Sequence, residues 1–178
     1  MAQKKRFVVL CEDEKSYQFV RGYLQRRFGK NTVQTSRVDV PYGLGSGEQS
    51  VREQFANELC ARRTKPKDEN LWLVVMTDAD QLTHEQRWSQ LRTALVKRSV
   101  SPIGSDEKVL IFIPKMNIES WARWGETGQV DETQDYKNQY RDGGKKYGAQ
   151  VAQRCLDQSN DPGSRSIQKA CEEIQRVV

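Results

Sequence analysis

Apolar residues along the chain fall into short runs, each followed by a stretch with helical spacing. Phe7-Val-Val-Leu-Cys11, Leu71-Trp-Leu-Val-Val-Met76 and Val109-Leu-Ile-Phe-Ile113 have no polar interruption, the pattern of strands buried on both faces. Thr32 to Val40 alternates more loosely, and its β-branched Val33, Val38 and Val40 predict a further strand. Between these runs, Phe19, Val20, Tyr23, Leu24 and Phe28 share one helical face that Gly29 ends, and Val51, Phe55 and Leu59 recur at four-residue spacing. Thr83-x-x-Gln86 reads as a capping box opening a helix through Trp88, Leu91 and Leu95. After the last strand, Ile118, Glu119, Trp121 and Trp124 begin another helix, whose tryptophans fall beside Ile118 and read as core packing. Strand and helix alternate four times, which predicts an α/β fold: a mainly parallel four-stranded sheet with helices on both faces.

The character changes after Trp124. Residues 125–148 are rich in Asp, Lys, Tyr and Gly and predict a long polar loop or a loosely helical excursion. Ala149–Leu156 and Ser166–Val178 read as two helices around an Asn160-Asp-Pro-Gly163 turn, with Ile167, Cys171, Ile174 and Val178 docking the last one. The expected organisation is a catalytic unit over residues 1–124 and a helical C-terminal extension over 125–178 that packs on it. Pro41-Tyr-Gly-Leu-Gly-Ser-Gly47 lacks the Gly-Lys-Ser/Thr ending of a P-loop and follows the second strand, so it reads as a flexible connector.

Composition narrows the chemistry. The chain has 178 residues, 36% apolar and 30% charged, with no apolar run long enough for a membrane span. Met1-Ala-Gln-Lys-Lys-Arg6 leads straight into a strand, unlike a signal peptide, so a cytoplasmic protein is expected. Cys11, Cys60, Cys155 and Cys171 are scattered without Cys-x-x-Cys spacing and are expected as buried free thiols. His84 is the single histidine and falls at a helix start, which predicts a surface position. Histidine-centred metal sites and Ser-His-Asp triads need more histidine than this. Hydrolysis would have to run on carboxylates, lysines and water activated by a metal. The net charge of +5 comes with basic clusters, including Lys65 and Lys67, that suit a polyphosphate partner. Arg26, Arg27, Arg62 and Arg63 are the candidate nucleic-acid contacts.

The acids supply the sharper signal. In an open parallel sheet, functional groups gather beyond the carboxyl ends of the strands. The first run ends in Glu12, the third in Asp78-Ala-Asp80, and the fourth is followed closely by Glu119. If the backbone stays extended, Asp78 and Asp80 lie on one side, and two such anions call for a cation between them. Oxygen donors favour Mg²⁺ or Mn²⁺ over Zn²⁺.

An apolar strand ending in Glu12 and another ending in Asp78-Ala-Asp80 resemble the Toprim domain of topoisomerases, primases and OLD-type nucleases. Pro114-Lys-Met-Asn-Ile-Glu-Ser-Trp121 is similar to a segment of small stand-alone Toprim proteins of phage-defence loci. The resemblance covers about residues 7–124. It implies a Toprim/Rossmann-like fold and metal-dependent phosphodiester hydrolysis of nucleic acid, DNA before RNA. Glu12, Asp78, Asp80 and Glu119 would hold Mg²⁺ or Mn²⁺, and an ATPase of the ABC or AAA class would be a partner. Two positions depart from the family pattern: Asp13 stands where a glycine is usual, and Ser16 where OLD-type members often carry an acid. Glu14 is the auxiliary acid that would substitute.

Beside the metal, Lys115 would stabilise charge on the transferring phosphate, and Lys137 would join it if its loop folds back. Two rival readings have their own support. Val8-Val-Leu-Cys-Glu-Asp-Glu14 resembles the acidic opening of a receiver domain, which would make the chain a phosphoacceptor. Loss of glycine at position 13 suits a non-catalytic Toprim-like scaffold or a toxin-antitoxin component.

Overall fold

The computed structural model describes residues 4–39, 46–64, 70–157 and 164–177. Val40, most of the glycine-rich loop, Lys65, Lys67, the 160–163 turn and Val178 lie outside them. Four strands are present: β1 (Lys5–Cys11), β2 (Val33–Arg37), β3 (Leu71–Met76) and β4 (Val109–Phe112). They form one sheet in the order β2-β1-β3-β4, and every pairing is parallel. The helices are α1 (Glu14–Phe28), α2 (Gly47–Arg63), α3 (His84–Lys97), α4 (Ile118–Thr127), α5 (Gly144–Asp157) and α6 (Arg165–Gln175). The expected α/β fold is borne out, with a Rossmann-like parallel sheet.

Strand periodicity sorts the helices into two layers. Phe7, Val9 and Cys11 of β1, Trp72, Val74 and Met76 of β3, and Leu110 and Phe112 of β4 face one core with α1, α4, α5 and α6. The intervening Leu10, Leu73, Val75 and Val109 face a second core with α2 and α3. Both faces are covered, so the central strands carry unbroken apolar runs instead of alternation. Trp121 and Trp124 are buried in the first core, as their helical spacing predicts.

α5 starts at Gly144, inside the stretch expected to be polar loop. The reason is packing, since Gly144, Gly148 and Ala152 at four-residue spacing let α5 lie against α1. A Cβ at Gly148 would fall 1.9 Å from the Phe19 carbonyl oxygen, and one at Gly22 would fall 2.0 Å from that of Lys145. Glycines that depress helix propensity are the price of this backbone approach. α6 then covers the outer edge of β4. Ile111 N donates to Glu173 Oε2 at 3.3 Å, and Arg176 Nη1 donates to the Val109 carbonyl at 3.0 Å.

The cysteines correct an expectation. Cys155 on α5 and Cys171 on α6 form a disulfide with Cα atoms 5.4 Å apart. Only Cys11 is a buried free thiol, because Cys60 is free but exposed. Sequence spacing could not show that α5 and α6 bring residues sixteen apart into bonding range. No helix among the described residues is long and apolar enough to cross a membrane.

Candidate active site

The strand order makes the gap between β1 and β3 a switch point. From β1 the chain steps to one side to form β2, then crosses back to lay down β3 and β4 on the other. Connections leaving β1 and β3 diverge there, and the crevice beyond their carboxyl ends is where open α/β sheets bind ligands. Glu12 follows the last residue of β1, and Thr77 and Asp78 follow the last residue of β3. Those strand ends are register partners, Cys11 opposite Met76.

The two acids touch through the backbone. Glu12 Oε1 accepts from Thr77 Oγ1 at 2.8 Å and from Asp78 N at 3.2 Å. Burial pushes the Glu12 carboxyl above its ordinary range, opposed by these two hydrogen bonds. Asp78 is raised well above the usual carboxylate value, first by burial and then by repulsion from Glu12, Glu119, Asp80 and Asp13. None of the ion pairs among the described residues involves Glu12 or Asp78. Gly47, at the start of α2, closes on the pair: a Cβ there would sit 3.2 Å from Glu12 Cβ.

The other two acids are held by cations. Asp80 leaves the extended conformation, with φ of 52°, and pairs its backbone with Met116, itself at φ 61°. The period-two argument therefore ends at Asp78. Two non-glycine residues in the left-handed region, bridged to each other, mark a strained turn at this edge. Asp80 Oδ2 instead meets Arg87 Nη2 at 3.1 Å. Glu119, buried in the first turn of α4, accepts from Lys15 Nζ at 2.6 Å, and the same ammonium donates to the Tyr140 carbonyl. Among the described residues no three His, Cys, Asp or Glu side chains stand together as a ready-made metal cage.

Arg87 organises the turn. It is 4% exposed, its Nε donates to the Asp78 carbonyl at 2.8 Å, and it also bonds Glu48 and Gln90. Thr77, Arg87, Glu48 and Lys15 are the members that sequence reasoning missed. Arg87 lies beside Trp88 on an ordinary amphipathic helix, with nothing in its spacing to show burial.

The remaining candidates are placed as follows. Asp13 caps α1, accepting from Ser16 N at 2.7 Å, which gives a local reason for aspartate in place of glycine. Glu14 is exposed and faces Arg37 at 3.4 Å. Lys115 Nζ donates to the Leu82 carbonyl at 2.6 Å, tying down the turn that follows Asp80. The loop of Lys137 does fold back, since Asn117 Nδ2 donates to Asp135 Oδ1 at 3.2 Å beside the α4 start, and Lys137 itself is exposed. His84 is half-buried beside Lys169, and burial lowers its pKa.

The four candidate arginines stand elsewhere. Arg62 donates to the Leu71 carbonyl at 2.9 Å, and Arg63 to Glu107 at 2.6 Å and the Ser101 carbonyl at 2.8 Å. Leu71 is the first residue of β3, so this is the amino edge of the sheet, a strand length of roughly 20 Å from the acids. Arg26 bonds Gln153 at 2.8 Å and Arg27 lies over the Phe28 ring, both at the end of α1.

Compared with protein-family models, curated proteins and solved structures, the chain matches none of them.

Proposed function

We propose that the chain is a Mg²⁺- or Mn²⁺-dependent phosphodiesterase of the Toprim type that hydrolyses nucleic acid, DNA before RNA. The observation that carries this reading is the Glu12–Asp78 pair: two half-buried, mutually repelling carboxylates, neither of them in an ion pair among the described residues, at the switch point of a parallel sheet. The donor set fits the ion. Mg²⁺ binds through one or two carboxylates, waters and substrate phosphates, without a dedicated protein cage. When bound, the metal would supply Lewis acidity and an activated water to the phosphate.

The chain's own residues supply position. Thr77 Oγ1 and Asp78 N fix one oxygen of Glu12, leaving Oε2 toward Gly47. Arg87 holds the Asp78–Asp80 turn, and Lys15 holds Glu119. Asp80 and Glu119 thus stand beside the pair as acids that can exchange a cationic partner for a metal. The resemblance of Pro114–Trp121 extends the proposal to a defence role beside an ABC- or AAA-class ATPase.

A phosphoacceptor reading draws on the same strand order and on the acid ending β3. The lysine it would need is Lys115, which is bonded to the Leu82 carbonyl, so hydrolysis is preferred. The test is Mn²⁺ titration with plasmid and single-stranded DNA, comparing wild type with Asp78→Ala and Glu12→Gln. Metal-dependent cleavage confined to wild type supports the reading, and equal cleavage by all three contradicts it. Phosphate transfer from acetyl phosphate to Asp78 would favour the phosphoacceptor instead.

A further inference from the structure

A groove of about 530 Å³ lies between α2 and α3 and is lined almost entirely by polar side chains. Arg52 rises from α2, Lys97 and Arg98 stand at the end of α3, and Glu53 is the one acid among its lining residues. Arg52 is paired with Glu48 at 2.5 Å. Among the described residues the Arg98 guanidinium is bonded only to the neutral Asn57, at 2.7 Å, and Lys97 is exposed and in none of the ion pairs. Beyond the Arg52–Glu48 pair, Lys97 and Arg98 set against Glu53 leave the groove with a net positive charge.

One end of the groove adjoins the residue that holds the acid turn. Gln90, on its wall, accepts from Arg87 Nη1 at 2.7 Å, and the same guanidinium touches Asp80 and the Asp78 carbonyl. Gln49, on the opposite wall, follows Glu48, the other partner of Arg87. Lys97, at the far end of the groove, stands about 15 Å from Arg87 along α3.

We infer that this groove holds the sugar-phosphate backbone of the nucleic-acid strand whose phosphodiester is presented to Glu12 and Asp78; the inference rests on the nuclease reading. A drug-like organic ligand would want aromatic walls, and no aromatic side chain is among the groove's lining residues. Cations neutralise backbone phosphates, and Gln49, Gln90 and Thr93 offer hydrogen bonds indifferent to base identity. Nucleic acid is favoured over an acidic protein because Gln49 and Gln90 of the groove adjoin Glu48 and Arg87, which hold the turn carrying Asp78 and Asp80.

The experiment is fluorescence anisotropy of labelled duplex and single-stranded oligonucleotides with the full chain in EDTA, over a range of salt. Lys97→Ala/Arg98→Ala is expected to lower the duplex salt slope by about 1.8, equivalent to roughly 30-fold weaker binding at 0.15 M salt. Mn²⁺ affinity and the thermal midpoint should stay at wild-type values, as should oligonucleotide affinity in a Lys30→Ala/Lys146→Ala control. Unchanged binding in the groove variant with cleavage intact overturns the groove and leaves the nuclease reading standing. Equal loss in the control, or displacement by poly-glutamate as effective as by DNA, also overturns it. Wild type that neither binds oligonucleotide nor cleaves with Mn²⁺ overturns both.

Discussion

Replacing Gly148 with alanine sets two effects of opposite sign against each other. In an exposed helix interior the change would stabilise by about 1 kcal/mol, because alanine is the better helix former. Here the new Cβ would lie 1.9 Å from the Phe19 carbonyl oxygen, 2.8 Å from its carbon and 2.9 Å from Tyr23 N. All three are backbone atoms of α1, so no side chain can rotate away. To reach the 3.4 Å at which ordinary contact begins, the helices would have to part by about 1.5 Å. α1 cannot retreat freely, since Phe19, Val20, Tyr23 and Leu24 are buried against the sheet. Overpacking of this kind costs about 1–3 kcal/mol, and backbone opposition places it at or above the top of that range. Net destabilisation of about 2 kcal/mol follows, a thermal midpoint lower by roughly 4–8 °C in a chain of this length. Calorimetry of Gly148→Ala beside Lys146→Ala, an exposed position on the same helix, measures it. A midpoint raised by a few degrees would refute the α1–α5 crossing.

Other consequences can be measured in the same way. Arg87→Met leaves the Asp78 carbonyl without its buried donor and removes one partner each from Glu48, still paired with Arg52, and exposed Asp80, and should cost about 1–3 kcal/mol; urea unfolding checks it, and no loss of stability contradicts the assigned role. Reducing Cys155–Cys171, sixteen residues apart, should remove about 3 kcal/mol and lower the midpoint by roughly 6–12 °C; Cys155→Ser/Cys171→Ser should melt at the reduced midpoint with or without dithiothreitol. Glu12 and Asp78 have folded pKa values above their unfolded ones, so the folded state binds more protons between the two. Metal-free stability should therefore fall as pH rises from the ordinary carboxylate range through the raised values, and Asp78→Asn should flatten that fall. Unfolding midpoints across a pH series decide it, and stability rising with pH over that window would contradict the charge arrangement.

How much was legible in the chain depends on whether a feature is set locally. The runs Leu71–Met76 and Val109–Ile113 announce doubly covered strands because burial on both faces leaves no polar position. Glu12 and Asp78 were readable as a pair because a parallel sheet carries all its strand ends to one edge. Asp80 was misplaced by the same rule, since the turn bridging it to Met116 abandons extended geometry one residue after Ala79. α5 was placed five residues late because Gly144 and Gly148 look like loop until Gly22 is seen across from them. The Cys155–Cys171 bond and the buried Arg87 depend on how helices meet in space, which no spacing within a single helix records.

The central claim is that Glu12 and Asp78 together take one divalent cation, and calorimetric titration of Mn²⁺ into metal-free protein tests it most directly. Wild type should bind, and at a hundredfold excess over Kd the ion should stabilise the fold by about 2.7 kcal/mol, raising the midpoint by roughly 5–11 °C. Glu12→Gln/Asp78→Asn should show neither heat nor shift while remaining folded. Mn²⁺ binding of equal strength in both proteins, or none in wild type, would contradict the account.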